Sequence, residues 1–270
     1  MKFKLIPLLL SFLICSNVWG AVDADGADDC MNTASAVTFG TNIITVSFWA
    51  NFANTTDANQ LLIELSANYN NTDNAFLFNW SANNPSTCDS NSFSASIQSS
   101  STINLYRVEC LAAQPSTGVW HHYSVVYDNS TSNGDVKLYV DGSEQSLNIE
   151  TNTKDQSGNF AADTIYFFDR ACAGGGSLDA VVKMDEVYIH SGELSATEVS
   201  LLYNSRTRKI GQQVDNTLIA YWPLDECADG TDCTGAGLYK DRSSNTNNIT
   251  PSSTAGQIPT GSAGAVLTYP

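Results

Sequence analysis

Trp120-His121-His122-Tyr123-Ser124-Val125-Val126-Tyr127, followed by Val136-Lys137-Leu138-Tyr139-Val140-Asp141-Gly142, is the stretch that decides the fold. Both halves are rich in β-branched and aromatic residues, which suit a pleated, half-buried surface. Asp141-Gly142 then favours a tight turn, so Glu144–Ile149 is expected to run back along Val136–Val140 as a hairpin. Outward from this stretch, similar short runs recur between polar turns: Ile43–Phe52, Gln60–Leu65, Ala75–Trp80, Phe93–Gln98, Ile103–Glu109, Thr164–Phe168 and Lys183–His190. One segment alone reads as a helix, where Ser195 and Glu198 form a capping box ahead of Val199, Leu201, Leu202 and Tyr203. Many short strands without βα alternation predict an all-β sandwich with one short helix. Alternation along the strands places Phe48, Trp120 and Tyr188 on inward faces.

Composition removes several function classes. The 270 residues carry 12 Lys+Arg against 28 Asp+Glu, a net charge of −16. So few cations cannot build the basic face that a nucleic-acid partner requires. With 42 % hydrophobic and 10 % aromatic residues the chain can build a core, which argues against disorder. Charged residues are only 15 %, too few for a long coiled coil.

The first twenty residues read as an address. Lys2 and Lys4 precede an apolar run from Leu5 to Cys15, with Gly20 as a small residue at the expected cleavage point. The run is too short for a membrane span, and no later segment offers one. Residues 1–20 are therefore expected to be a signal peptide and the product to be exported to the periplasm, cell surface or medium. Cleavage leaves Cys30, Cys88, Cys110, Cys172, Cys227 and Cys233, and an even number in an exported chain points to disulfides. Sequence alone does not choose among the fifteen pairings. Proximity favours Cys227–Cys233 and Cys88–Cys110, which leaves Cys30 with Cys172.

Five motifs stand in order: Ala24-Asp25-Gly26-Ala27-Asp28-Asp29, Val46-Ser47-Phe48-Trp49, the Trp120–Tyr127 stretch, Leu138-Tyr139-Val140-Asp141-Gly142, and Met184-Asp185-Glu186-Val187-Tyr188-Ile189-His190 ahead of Leu194-Ser195. The series resembles the laminin-G-like jelly rolls of the concanavalin A-like lectin/glucanase superfamily over roughly residues 22–205. That resemblance implies a two-sheet antiparallel jelly-roll sandwich. Leu218–Glu226 and Asp241–Asn245 look like segments that usually open such a domain. One jelly roll is therefore expected over 21–242, completed by 217–242. The Ser-, Thr- and Gly-rich stretch 243–270 reads as loop or linker.

The superfamily contains glucanases, which resemble one another in an E-x-D-x-x-E strand that this chain lacks. Asp185 and Glu186 are neighbours on a strand and point to opposite faces, so they cannot act as an acid pair. His121 and His122 diverge in the same way, and no serine sits in a G-x-S-x-G elbow. The chain is expected to be no enzyme. Trp49, Trp80, Trp120 and Trp222 read as core residues, with Tyr106 and Phe168 the next aromatic candidates for stacking on sugar. Asn71–Ser81 is similar to the pentraxin segment in which an Asp-Asn pair ligates calcium, which implies Asp73 and Asn74 as ligands, with Asp169 the nearest partner acid. A second acidic cluster, Asp25, Asp28 and Asp29, would meet Asp241 if the C-terminal segment folds back. The expected function is recognition of a glycan or a surface protein, dependent on calcium. The alternative is a structural or assembly module of a cell surface or pilus, because Asp225-Glu226-Cys227 resembles part of mannose-sensitive haemagglutinin pilus-biogenesis proteins.

Overall fold

The computed structural model describes residues 20–53, 60–66, 72–81, 92–100, 105–172, 178–204, 217–235, 237–253 and 258–264. Its strands in chain order are β1 (Gly20–Asp25), β2 (Met31–Thr33), β3 (Ile43–Phe52), β4 (Gln60–Leu65), β5 (Ala75–Ser81), β6 (Ser92–Ser100), β7 (Leu105–Leu111) and β8 (His121–Asp128). There follow β9 (Asp135–Val140), β10 (Ser143–Glu144), β11 (Leu147–Asn152), β12 (Ile165–Phe167), β13 (Val181–Ser191), the helix α1 (Ala196–Asn204), β14 (Leu218–Trp222), β15 (Ile249–Pro251) and β16 (Thr260–Ala263). Two sheets result. The first runs β10-β9-β8-β3-β13-β1-β16 with β14 also on β13, and the second runs β11-β7-β6-β5-β4-β12-β2-β15. Every neighbouring pair is antiparallel, as a jelly-roll sandwich requires.

Alternation along the strands builds the core. Phe48, Phe52 and Tyr123 of the first sheet meet Phe78, Trp80 and Phe93 of the second, with Phe48–Phe78 centroids 5.6 Å apart and Phe52–Phe93 4.7 Å apart. Trp80 and Trp222 lie in this core as the sequence predicts, whereas Trp49 sits on the other face of its sheet. Tyr188 departs from its expected inward position. Glu186 adopts φ 52° and the register with β3 shifts between Asp185 and Tyr188. This bulge adds one residue, so Met184 and Val187 both face the core and Tyr188 turns outward. There it stacks on Tyr221, with centroids 4.3 Å apart and planes 3° from parallel. Trp120, also expected inward, is half-buried at the entry to β8.

The run expected over Glu144–Ile149 divides between the sheets. Ser143–Glu144 closes the hairpin on β9, and Leu147–Asn152 pairs with β7 across the sandwich. The C-terminal third supplies three strands. β1 pairs with the Val181–Met184 half of β13 and β14 with the Val187–His190 half, so the two lie end to end along one edge. β15 edges the second sheet beside β2, and β16 edges the first beside β1. The 243–264 part of the stretch expected to be linker therefore holds strands of the sandwich. These strands are too short and polar to show in an alternation pattern, and Pro251 is tolerated because β15 is an edge.

α1 starts where the capping box predicts. The Glu198 amide donates to Ser195 Oγ at 3.3 Å, and the Ser195 amide donates back to Glu198 Oε2 at 2.8 Å. Val199 and Leu202 pack on Leu194, Val126 and Tyr139, closing the helix over the outer face of the first sheet. Cys30–Cys172 and Cys227–Cys233 are disulfides. Cys110 is disulfide-bonded as well, and its expected partner Cys88 lies outside the described residues, as do residues 1–19 of the expected signal segment 1–20. No helix among the described residues is long and apolar enough to cross a membrane.

Candidate functional site

Each sheet has one face toward the core, which leaves two outer faces. The first sheet's is occupied by α1: Tyr203 lies on Trp49 at 5.7 Å and on His122 at 6.2 Å. Burial there pushes His122 down to about 4, against a smaller upward pull from the Asp141 charge, so the ring is neutral at pH 7. The same covered face holds Tyr188 and Tyr221, both donating to Glu186 Oε2, at 2.9 and 2.7 Å.

The second sheet's outer face is polar. Strand register aligns Ser96, Leu77, Glu64, Tyr166, Asn32 and Thr250 in one row across β6, β5, β4, β12, β2 and β15. Ser94, Ser96 and Gln98 are buried, while Tyr166, Asn32 and Thr250 are half-exposed, so the accessible part lies at the β12–β2–β15 end. Glu64 is 0 % exposed. A carboxylate so placed demands compensation, and Arg170 supplies it: Nε lies 2.9 Å from both Glu64 oxygens and Nη2 also bonds Oε2. Burial still holds the Glu64 carboxyl above its usual range, outweighing Arg170. Arg170 reaches back over the sheet because the 3-10 turn Arg170–Cys172 follows Phe168 at φ 71° and carries Ala171 at φ 62°. The Cys30–Cys172 disulfide ties that turn to the start of β2.

An acidic edge borders this patch. Burial first, and then the charges of Asp169 and Asp28, push Asp179 up to about 6. Asp29 is likewise held at about 6, where burial and the charges of Asp25 and Asp23 outweigh a hydrogen bond from the Asp25 amide. Asp241, which the sequence suggested could join Asp25, Asp28 and Asp29, instead accepts from the amides of Tyr221, Ser243 and Asn247 and so closes a turn beneath β14.

The residues expected to hold calcium do not come together. Leu77 and Tyr166 both stand opposite Glu64, and β5 and β12 run the same way. Asp73 lies four residues before Leu77 and Asp169 three after Tyr166, which puts them roughly 20 Å apart along the strands. Asn74 is committed elsewhere: its Oδ1 accepts from Asn129 at 2.9 Å and its carbonyl from the Ala161 amide. Among the described residues no three His, Cys, Asp or Glu side chains converge as a metal site. Asp73, Asn74 and Asp169 therefore do not fit one calcium ion.

Of the aromatic candidates read from sequence, Phe168 is fully buried and the Tyr106 side chain lies outside the described residues. Sequence reading passed over Glu64, Tyr166 and Arg170. A charge inside the apolar run Gln60–Leu65 was a usable signal for Glu64. Alternation in Ile165-Tyr166-Phe167 was a signal that Tyr166 faces away from the core.

Residues 25–200 match the sequence profile of the laminin G family described as the concanavalin A-like lectin/glucanases superfamily. A carbohydrate binding protein of Bacteroides ovatus superposes with a TM-score of 0.58 at 15 % identity, covering 91 % of this chain and 60 % of that one. A heptameric SAP-like pentraxin of Limulus polyphemus superposes with a TM-score of 0.50 at 12 % identity, covering 69 % of this chain and 83 % of that one. No curated protein matches in sequence.

Proposed function

Because this chain belongs to the concanavalin A-like lectin/glucanase superfamily, whose profile covers 176 residues from 25 to 200, we propose that it is an exported recognition domain that binds a glycan on the outer face of its second sheet. The observation that carries the reading is the half-exposed end of the polar row, where Tyr166, Asn32, Thr250 and Arg170 share one surface. A flat aromatic, an amide, a hydroxyl and a fixed guanidinium are the groups that recognise a sugar ring, and Glu64 holds the guanidinium in place. The carbohydrate-binding name of the Bacteroides ovatus neighbour, which this chain covers by only 60 % of its length, supports the same class of ligand.

Hydrolysis of the bound sugar is not part of the proposal. A glycosidase needs one carboxyl free to protonate the leaving oxygen. Glu64, the carboxyl at the centre of the row, is fully buried and has both oxygens engaged by Arg170. A glycan array probed with the purified chain tests the reading, with calcium and with a chelator. Retention of a defined glycan class supports recognition of sugar. A blank array in both conditions rejects it and favours the surface or pilus module, for which co-purification with surface fibres is the expected sign.

A further inference from the structure

Ser116, His121 and Asp141 form a hydrogen-bonded chain at the end of the first sheet where β8 begins and β9 ends. His121 Nδ1 lies 2.7 Å from Asp141 Oδ2, and His121 Nε2 lies 3.0 Å from Ser116 Oγ. The direction of the chain follows from the groups. An ionised carboxylate only accepts, so the Nδ1 proton belongs on the imidazole and points at Asp141. In the neutral form of that ring Nε2 is the acceptor, and the Ser116 hydroxyl then donates to it. Asp141 is itself fixed, because its other oxygen accepts from the His122 amide at 3.0 Å and it occupies the tight turn at φ 50°.

This is the polarity and spacing of a serine nucleophile, a general base and an orienting carboxylate. Ser116 is exposed and follows Pro115, and His121 is only 15 % exposed in its side chain. Among the described residues the amides of Ser116 and Thr117 make no hydrogen bond within the chain. They are the nucleophile's own amide and the next one, the kind of donors that stabilise an oxyanion.

We infer that Ser116, His121 and Asp141 constitute an acyl-transfer site that hydrolyses small uncharged acyl esters. The net charge of −16 disfavours anionic acyl groups. In the first half, Ser116 Oγ attacks the ester carbonyl carbon while its proton passes to His121 Nε2. The ester C–O bond breaks, and the alcohol leaves with the proton returned by Nε2. In the second half, water attacks the acyl carbon on Ser116 and gives its proton to Nε2, which returns it to Oγ as the acid departs. Asp141 stays ionised throughout and steadies the transient imidazolium. Ester and water are consumed, and acid and alcohol are formed. The site lies on the first sheet and does not rest on the glycan reading.

The test pairs p-nitrophenyl acetate hydrolysis with fluorophosphonate labelling read by peptide mass spectrometry. The expected result is labelling of Ser116 in the unmodified chain, with hydrolysis falling about 100-fold or more in Ser116→Ala and His121→Ala. Ser116 is exposed, so Ser116→Ala should leave the melting temperature unchanged. No label on Ser116, or equal hydrolysis by Ser116→Ala and the unmodified chain, overturns the inference. The labelling arm needs no variant, so it decides the matter even if His121→Ala fails to fold.

Discussion

Arg170 and Glu64 show how one side chain can set the state of another. Arg170→Ala leaves a buried carboxylate without its partner. Breaking a buried pair in this way costs about 3–5 kcal/mol, and the guanidinium's 30 % exposure reduces the expected loss to about 2–3 kcal/mol near neutral pH. Denaturant titration of the variant checks this, and the deficit should shrink in acid as Glu64 protonates. His122 has the opposite dependence on protons. Its folded value of about 4 lies below the ordinary 6.5, so the unfolded chain takes the proton first as pH falls. The stability it lends is whole above about pH 6.5 and drains away toward pH 4, by up to about 3 kcal/mol. Asp29 and Asp179 act against it: held at about 6, they favour the folded state in acid and lose that contribution as pH rises through 6. Comparing the unmodified chain with His122→Phe, from about pH 7 to about pH 4.5, isolates the histidine. The unmodified chain should lose more stability than the variant over that range, and parallel curves would contradict the assignment.

The elements divide into those whose pattern is local and those whose pattern depends on a distant partner. Ile43–Phe52 and Gln60–Leu65 were legible to the residue, because ten or six consecutive apolar-rich positions leave little room for another structure. The helix was legible from Ser195 and Glu198 alone. Tyr188 was not, since a single extra residue at Glu186 inverts the alternation and nothing in the local sequence demands it. Nor was the patch around Arg170, where the pairing of β12 with β2 and a disulfide spanning 142 residues bring together segments far apart in the chain. That crosslink also contributes more than the Cys227–Cys233 link. On loop-closure grounds it is worth about 5 kcal/mol and the Cys227–Cys233 link, across 6 residues, about 2. Replacing Cys30 and Cys172 together with serine should therefore lower the denaturation midpoint much more than replacing Cys227 and Cys233. Equal losses would show that the long link does little to restrain the unfolded chain.

At the scale of the whole molecule, the sandwich is closed by its own C-terminal third. β14 completes the edge that β1 leaves open on β13, and β15 and β16 cover one edge of each sheet. The class of fold was open to sequence reading. The two last strands were not, because Ile249–Pro251 and Thr260–Ala263 are strands only through what they pair with. The same closure brings Thr250 beside Asn32 in the row that ends at Tyr166 and Arg170. That row is the proposed sugar-binding surface. Calorimetric titration of the array-selected glycan into the unmodified chain and into Tyr166→Ala tests it most directly. Binding to the unmodified chain should be saturable and should weaken at least about tenfold in Tyr166→Ala while the melting temperature stays within a few degrees. Equal affinity in the two proteins would contradict it and place the recognition surface elsewhere on the sandwich.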